Sequence, residues 1–268
     1  MKMVLAGITP FRVLARRAAR EFAVTHFAQA PRQRIGRHFH ENATLCVLLR
    51  GAVRDRFHSK TVEYYPGGVI FRPPQEGHSH QFGDSGAVAL VIEVPSAWLR
   101  TRSSLESLSE LRFRQHAPVL VDSAHLISLL RDDTVSDPEL QESCVALLSL
   151  FEPEKHRACD SEGVHRIRAL LEDDFAQSHS LEDLSRIASL HPAYLVNAFR
   201  TRYGCSIGQF RRRRRVAFAL NQLWNTDASI PEVALKSGFY DQSHCTNEIR
   251  KHTGRTPAQL RRLMKVHL

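Results

Sequence analysis

Between Ala23 and Val94 the apolar positions fall in short alternating runs cut by Gly and Pro. Thr44–Arg50 reads as a buried strand that ends in a turn at Gly51. Gly67-Gly68 marks a second turn, Val69–Phe71 a strand closed by Pro73-Pro74, and Gly86–Val94 a further strand. Short strands at regular turn spacing predict a small β-barrel or sandwich. After Pro95 the period changes, and Ala97–Arg114 and Ser123–Arg131 read as helices. Asp137-Pro138 supplies an N-cap and a proline at the first helical position, opening a helix that runs to about Phe151. Leu140, Cys144, Leu147, Leu148 and Phe151 keep helical spacing along it. This stripe needs a covering surface, either a second subunit or the barrel. A polar stretch with Pro153 and Gly163 then reads as a linker.

From Val164 onward the pattern is helical throughout. Val164, Ile167, Leu170, Leu171 and Phe175 form one stripe, and Ser180 with Asp183 predicts the start of the next helix. His191-Pro192 opens a helix to about Arg202 with Leu195 and Phe199 inward. Ala193, Val196, Asn197 and Arg200 share its other face. Ile230-Pro231 opens a second short helix, Gly238-Phe239 makes a turn, and Asp241 caps a helix with Cys245 and Ile249 inside. Gln242, Ser243, Thr246 and Asn247 lie outside. A fifty-residue echo joins the two halves. Gly204, Ser206, Gln209, Phe210 and Arg211-Arg212 recur as Gly254, Thr256, Gln259, Leu260 and Arg261-Arg262. Such self-similarity marks one supersecondary unit used twice, here helix, tight turn, helix and basic exit. Between them Arg211–Arg215 leads into a helix with Val216, Ala219, Leu220 and Leu223 on one side, a rigid joint between the units.

Charge sharpens this division. The chain of 268 residues carries a formal net charge of +9. Val164–Leu268 holds 17 Lys and Arg against 9 Asp and Glu, a net of +8. A polyanion-binding C-terminal part attached to a near-neutral partner is the expectation. The first 20 residues, with Arg12, Arg16, Arg17 and Arg20 and a faint likeness to a transit peptide, read as a basic, partly ordered N-terminus. Five scattered cysteines without a Cys-x-x-Cys pair point to small core residues in a reducing compartment, with a thiol redox sensor as the alternative. No apolar run approaches the roughly 18–20 residues that span a bilayer.

The outward residues suit DNA. Asn and Gln pair bidentately with adenine, Ser and Thr address several bases, and small apolar groups touch the thymine methyl. The predicted base readers are His191, Ala193, Val196, Asn197, Gln242, Ser243, Thr246 and Asn247, with Arg200, Arg211, Arg212, Arg215, Arg250 and Lys251 on phosphates. One exposed Asn is ordinarily solvated surface; the same placement twice in a basic region is not. Five successive arginines spread around a helix, so at most two or three of them face one phosphate backbone.

Val164–Leu268 resembles the C-terminal domain of AraC/XylS-family transcription regulators. The residues that carry the resemblance include Leu181-Glu-Asp-Leu184, Phe199-Arg200, Tyr203-Gly204, Ile230-Pro-Glu-Val-Ala234, Ser237-Gly238-Phe239-Tyr-Asp241-Gln-Ser-His244 and Gly254-Arg-Thr256-Pro257. Cys245, Ile249 and Leu260 replace larger aromatics of the family, and Ser189 its turn glycine. The resemblance implies two helix-turn-helix units joined by a linker helix, reading successive major-groove segments. Gly36-x-His38-x-His40, Gly51, Pro73 and Gly77-His78-x-His80 are similar to the two motifs of cupin barrels, a sensor that this family often carries. The implied fold is α+β and multidomain. Residues 1–122 form a cupin-like β-barrel with a following helix, 123–152 a helical dimerisation segment, 153–163 a linker, and 164–268 the all-α DNA-binding domain.

A small-molecule pocket is expected at His38, His40, Arg72, His78 and His80, because a cupin brings these two turns to one barrel mouth. A metal-binding cupin adds a carboxylate near Thr44 or Leu45, and Glu41 faces the other side of the strand. No metal or other cofactor is therefore assigned; if one bound, His38, His40 and His78 would be its ligands. The expected function is a sequence-specific regulator, an activator responding to a small molecule, located in the cytoplasm on the bacterial nucleoid. Its expected partners are double-stranded DNA, RNA polymerase, an effector and a second copy of the chain, with no membrane and no enzymatic activity. Two alternatives are a ligand-independent regulator whose barrel only dimerises, and a cupin metal enzyme fused to a DNA-binding domain.

Overall fold

The computed structural model describes residues 11–58, 60–101, 108, 110–151 and 161–264. Its N-terminal part is one antiparallel sheet of eight strands: β1 (Arg12–Ala19), β2 (Phe22–Gln29), β3 (Arg34–His38), β4 (Ala43–Arg56), β5 (Thr61–Tyr64), β6 (Gly68–Arg72), β7 (His78–Val94) and β8 (Arg112–Gln115). The main path runs β1-β2-β7-β4-β6-β8, with β3 paired to β7 and β5 to β4. β4 and β7 are long enough to serve both ends of the sheet. Each bends once, at facing glycines. Gly51 and Gly86 have φ of 85° and 68°, and a Cβ on Gly51 would lie 1.9 Å from the Gly86 carbonyl oxygen. Of the register shifts beside them, that at Leu48/Arg50 leaves one extra residue on β4 and that at Gly51/Val53 leaves three on β7, odd numbers that reverse the inward parity of both strands. Thr44, Cys46 and Leu48 line the cavity before the bend, as do Val53 after it and, on β7, Phe82 before and Ala89 and Val91 after.

The opposite face of the sheet carries Val24, Leu45, Val47, Leu49, Leu90 and Ile92, all fully buried. Two helices cover it, α2 (Val119–Leu130) and α3 (Asp137–Leu148), after the short α1 (Ser96–Arg100). The stripe Leu140, Cys144, Leu147, Leu148 and Phe151 is buried here within the chain's own core. Its partner is thus intramolecular, and the physical reason for expecting a dimer through this stripe falls away. The expected helix over Ala97–Arg114 is also corrected. Among the described residues the α-helix spans Ser96–Arg100, and Arg112–Gln115 is a strand that pairs with β6. Residues 102–107 and 109 lie outside the described residues. The N-terminal segment expected to be partly ordered forms β1 from Arg12 onward. Of the expected linker 153–163, residues 153–160 also lie outside them, and Glu162-Gly163 already belong to the next helix.

The C-terminal part is helical: α4 (Glu162–Asp173), α5 (Leu181–Ala188), α6 (Pro192–Tyr203), α7 (Ile207–Asn225), α8 (Ile230–Lys236), α9 (Gln242–Thr253) and α10 (Pro257–Met264). Val164, Ile167, Leu171, Leu184, Leu195 and Phe199 make a separate core for α4–α6. The inward faces of α7–α10 instead join the core of the sheet and α2.

Candidate nucleic-acid interface and sensor cavity

The fifty-residue echo is a pair of helix stops and starts. Gly204 and Gly254 end α6 and α9 in the left-handed conformation, with φ of 72° and 74°. Two residues later Ser206 and Thr256 open α7 and α10. The Gln209 amide N–H donates to Ser206 Oγ at 3.2 Å while the Ser206 N–H donates to Gln209 Oε1 at 2.8 Å. Gln259 and Thr256 repeat both bonds, the Gln259 N–H donating to Thr256 Oγ1 at 3.4 Å and the Thr256 N–H to Gln259 Oε1 at 2.9 Å. Each reciprocal box satisfies two amides that the helix itself leaves unpaired. The echo marks the repeated helical unit, and its Ser/Thr-x-x-Gln after Gly is in addition the signature of such a box, which the sequence reading left unread.

The same economy starts the two candidate recognition helices. His191 accepts from the Ala193 amide at 3.3 Å, opening α6, and Asp241 accepts from the His244 amide at 2.7 Å, opening α9. Leu195, Ala198 and Phe199 on α6, and Cys245, Ile249 and Thr253 on α9, are buried. The outer faces stay open. His191, Ala193, Val196 and Asn197 are exposed, as are Gln242, Ser243 and Asn247, with Thr246 half-buried.

The arginine run divides by direction. Arg214 donates to the Glu172 carbonyl at 2.8 Å. Arg215 donates to the carbonyls of Phe175, Ala176 and Gln177 at 2.8, 2.9 and 3.3 Å. Arg213 reaches Asp122 of α2. Arg215 was expected on a phosphate; its guanidinium instead closes the chain after α4, where burial lowers its pKa. Arg212 is exposed, 3.9 Å from Glu248 of α9, and Arg211 is half-buried. Arg200, Arg250 and Lys251 are exposed.

The barrel holds a cavity of about 100 Å³. One wall is apolar, with Phe27, Ile35, Leu48, Val53, Phe82 and Val91; His38, His40, Arg72 and His80 form the polar side. His78 does not line it and is buried behind. The two histidine pairs converge, with ring centroids of His38 at 4.4 Å from His78 and 5.1 Å from His40. Burial, and next the charge of Arg72, lowers the pKa of His78 to about 2 and of His40 to about 3; burial also lowers that of His38. These rings are therefore neutral near pH 7.

Arg72 is internally committed. It pairs with Asp55, which is fully buried and also accepts from Tyr64 Oη at 3.0 Å and His80 Nδ1 at 2.5 Å. Burial alone would raise the Asp55 carboxyl, but His80 and Arg72 hold it well below the usual carboxylate range. Arg72 thus arrives neutralised, a strut of the wall more than a free cation. Asp55 and Tyr64 were missed in the sequence. The available signal was the period of two in Val53-x-Asp55-x-Phe57, which puts a carboxylate on the apolar face.

Known proteins agree with both halves. The family AraC-like ligand binding domain matches residues 23–151, and the family Helix-turn-helix domain matches residues 184–263. The chain belongs to the AraC family of regulators. The HTH-type transcriptional regulator ExsA of Pseudomonas aeruginosa is 30% identical over 105 residues, 39% of this chain and 38% of that protein. The XylDLEGF operon transcriptional activator 3 of Pseudomonas putida is 26% identical over 243 residues, 83% of this chain and 73% of that protein. Among solved structures, ToxT from Vibrio cholerae is similar at 14% identity and a TM-score of 0.40, covering 92% of this chain and 100% of that one. The match to ExsA thus spans under two fifths of that protein's length. Among the described residues no helix is long and apolar enough to cross a membrane.

Proposed function

We propose that this AraC-family chain is a DNA-binding transcription regulator, an activator, whose barrel cavity receives a small-molecule effector. The observation that carries the reading is the paired construction of α6 and α9. Each starts at a side-chain cap, buries one face completely and leaves its N-terminal polar face to solvent. That is what a helix needs to enter a major groove. Double-stranded DNA is the primary partner, RNA polymerase the downstream one, the cytoplasm the place of action, and no chemical step is required of the chain. A homodimer belongs to the reading only through a surface other than the Leu140–Phe151 stripe. The cavity favours a sensor over a barrel that only pairs chains, since pairing needs no interior space.

Binding of the full chain to its own upstream region, against random duplex across a salt series, tests this. Asn247→Ala should relax discrimination by about 1–3 kcal/mol at one base pair. Arg250→Ala should weaken every duplex alike and flatten the salt slope by roughly 0.9. Equal behaviour of the two variants would refute the division between reading and anchoring. No preference for the upstream region would refute the reading as a whole.

A further inference from the structure

We propose that the barrel cavity takes an uncharged, predominantly apolar molecule of about one ring in size that carries a single hydroxyl or carbonyl oxygen, and that it turns away carboxylates. This rests on the sensor reading of the barrel and narrows it to one class of ligand. Size sets the first limit. Apolar cavities on the order of 150 Å³ admit benzene, and this one has about 100 Å³, room for a single small ring and not for a long acyl chain. Its wall is mostly apolar, with Phe27, Ile35, Leu48, Val53, Phe82 and Val91. A polyhydroxylated ligand would bury oxygens against these side chains without partners, at a cost for each.

Charge is cancelled on both flanks. Thr44 of β4 lies opposite Arg72 of β6 on one side and Glu93 of β7 on the other. The three make one row across the sheet, and all three line the cavity. Arg72 pairs with the fully buried Asp55, and Glu93 lies 3.6 Å from Arg16. Each charge that faces the cavity thus has its counter-charge within the protein. The neutral rings of His38 and His40 add none. A carboxylate or an ammonium group entering here would lose its water without gaining a free partner, and Glu93 would repel the carboxylate besides. Burying an unpaired charge costs more than one ring returns through its apolar area.

Polar recognition is left for one oxygen. Among the described residues neither Thr44 Oγ1 nor Arg72 Nε has a hydrogen-bond partner, and both atoms are buried. Arg72 Nε–H only donates, whereas the Thr44 hydroxyl donates or accepts. Residues directly opposite on neighbouring strands have Cβ atoms about 5 Å apart, close enough for both groups to address the same ligand atom. A carbonyl oxygen accepts from both. A hydroxyl accepts from Arg72 Nε and donates to Thr44 Oγ1. Either completes two buried polar groups that the fold leaves unmade, and buried groups without partners are the costly ones.

Calorimetric titration of the purified full chain with two matched pairs, benzyl alcohol against benzoate and cyclohexanol against cyclohexanecarboxylate, tests the ligand class. Each alcohol should bind at one site per chain, more than about 100-fold tighter than its carboxylate. Thr44→Val keeps the shape, removes the hydroxyl and should weaken the alcohols about 5-fold. Glu93→Gln should narrow the discrimination against carboxylates by about 3-fold or more. Val91→Phe fills the cavity and should abolish binding of both alcohols. Circular dichroism checks its fold, and Val91→Leu, with a smaller loss, serves if it fails. Carboxylates that bind as tightly as the alcohols would overturn the ligand class and leave the sensor reading standing. Alcohols that do not bind, or that bind undiminished in the folded cavity variant, would overturn it as well. Adding a bound alcohol to the duplex titration tests the sensor itself. Binding in the cavity with no change in affinity for the upstream region would refute the sensor and leave the ligand class intact.

Discussion

His26 brings a titratable ring into the core of the sheet. It sits fully buried on β2, on the helix-covered face of the sheet, and among the described residues neither ring nitrogen has a partner. Burial, aided by Arg131, lowers its pKa to about 3. Its folded pKa lies below the unfolded value of 6.5, so the neutral ring favours the fold fully above pH 6.5. That contribution is lost as pH falls toward 3, because the unfolded chain takes up the proton first. Between pH 7 and pH 5 the loss is about 2 kcal/mol. His40, His78 and His116 push in the same direction, so the wild type should be more acid-sensitive than this residue alone accounts for. His26→Leu removes only its share. Urea unfolding at both pH values should show a decline about 2 kcal/mol smaller in the variant, with stability at pH 7 equal or higher. An unchanged decline would mean that His26 finds a proton acceptor in the fold.

At the scale of elements, two turns of the helix-turn-helix units use the same backbone with opposite side-chain chemistry. Ser189 ends α5 with φ of 55°, and Gly238 follows α8 with φ of 77°. A left-handed L-residue costs roughly 1–2 kcal/mol, which glycine avoids. Ser189→Gly should therefore stabilise the first unit by about 1 kcal/mol, part of the gain being returned as greater freedom of the unfolded chain. Gly238→Ala meets both the conformational cost and a backbone only 2.6 Å from the new Cβ, at Ala176, and should cost about 2 kcal/mol or more. Thermal unfolding checks both, and a destabilised Ser189→Gly would contradict the account. These helical elements were legible because caps, stops and inward stripes are local in sequence. The strands were less so. β1 alternates weakly between exposed and half-buried residues, and β8, Arg-Phe-Arg-Gln, is a four-residue edge whose strand character comes from pairing with β6. The convergence of His38, His40, His78 and His80 followed from motif order; the period of two at Val53-x-Asp55-x-Phe57 marks a carboxylate on an apolar face, but its meeting with Arg72 and Tyr64 depends on strand pairings that lie far apart in sequence.

At the scale of the molecule, the division into sensor and DNA-binding domains does not follow the division into cores. α4–α6 pack around their own core, while α7–α10 share one with the sheet, α2 and α3. β4 is the shared element. Its inward residues line the cavity, and its outward edge holds the linker helix: Asn225 Nδ2 donates to the Leu49 carbonyl at 3.3 Å, and the Gly51 amide donates to Asn225 Oδ1 at 3.4 Å. Arg50 donates to the Met264 carbonyl at 3.2 Å and Arg255 to that of Ser128 at 3.1 Å. The second unit is thereby fastened through α7 and α10 to the strand an effector would touch, and through Arg255 to α2, whereas the first recognition helix packs into the separate core of α4–α6. Cooperative units follow cores, so amide exchange should protect α8–α10 together with the barrel and leave α4–α6 to open separately. Leu126→Ala, which hollows the buried face of α2 at a cost of about 2–5 kcal/mol, should speed exchange in the barrel and α8–α10 alike and spare α4–α6. Equal acceleration in α4–α6 would show one cooperative unit and sink this division. If it holds, anything bound in the cavity stabilises barrel and second unit by mass action. Through differential affinity for two arrangements of that unit, the same ligand would set how the second recognition helix meets DNA relative to the first.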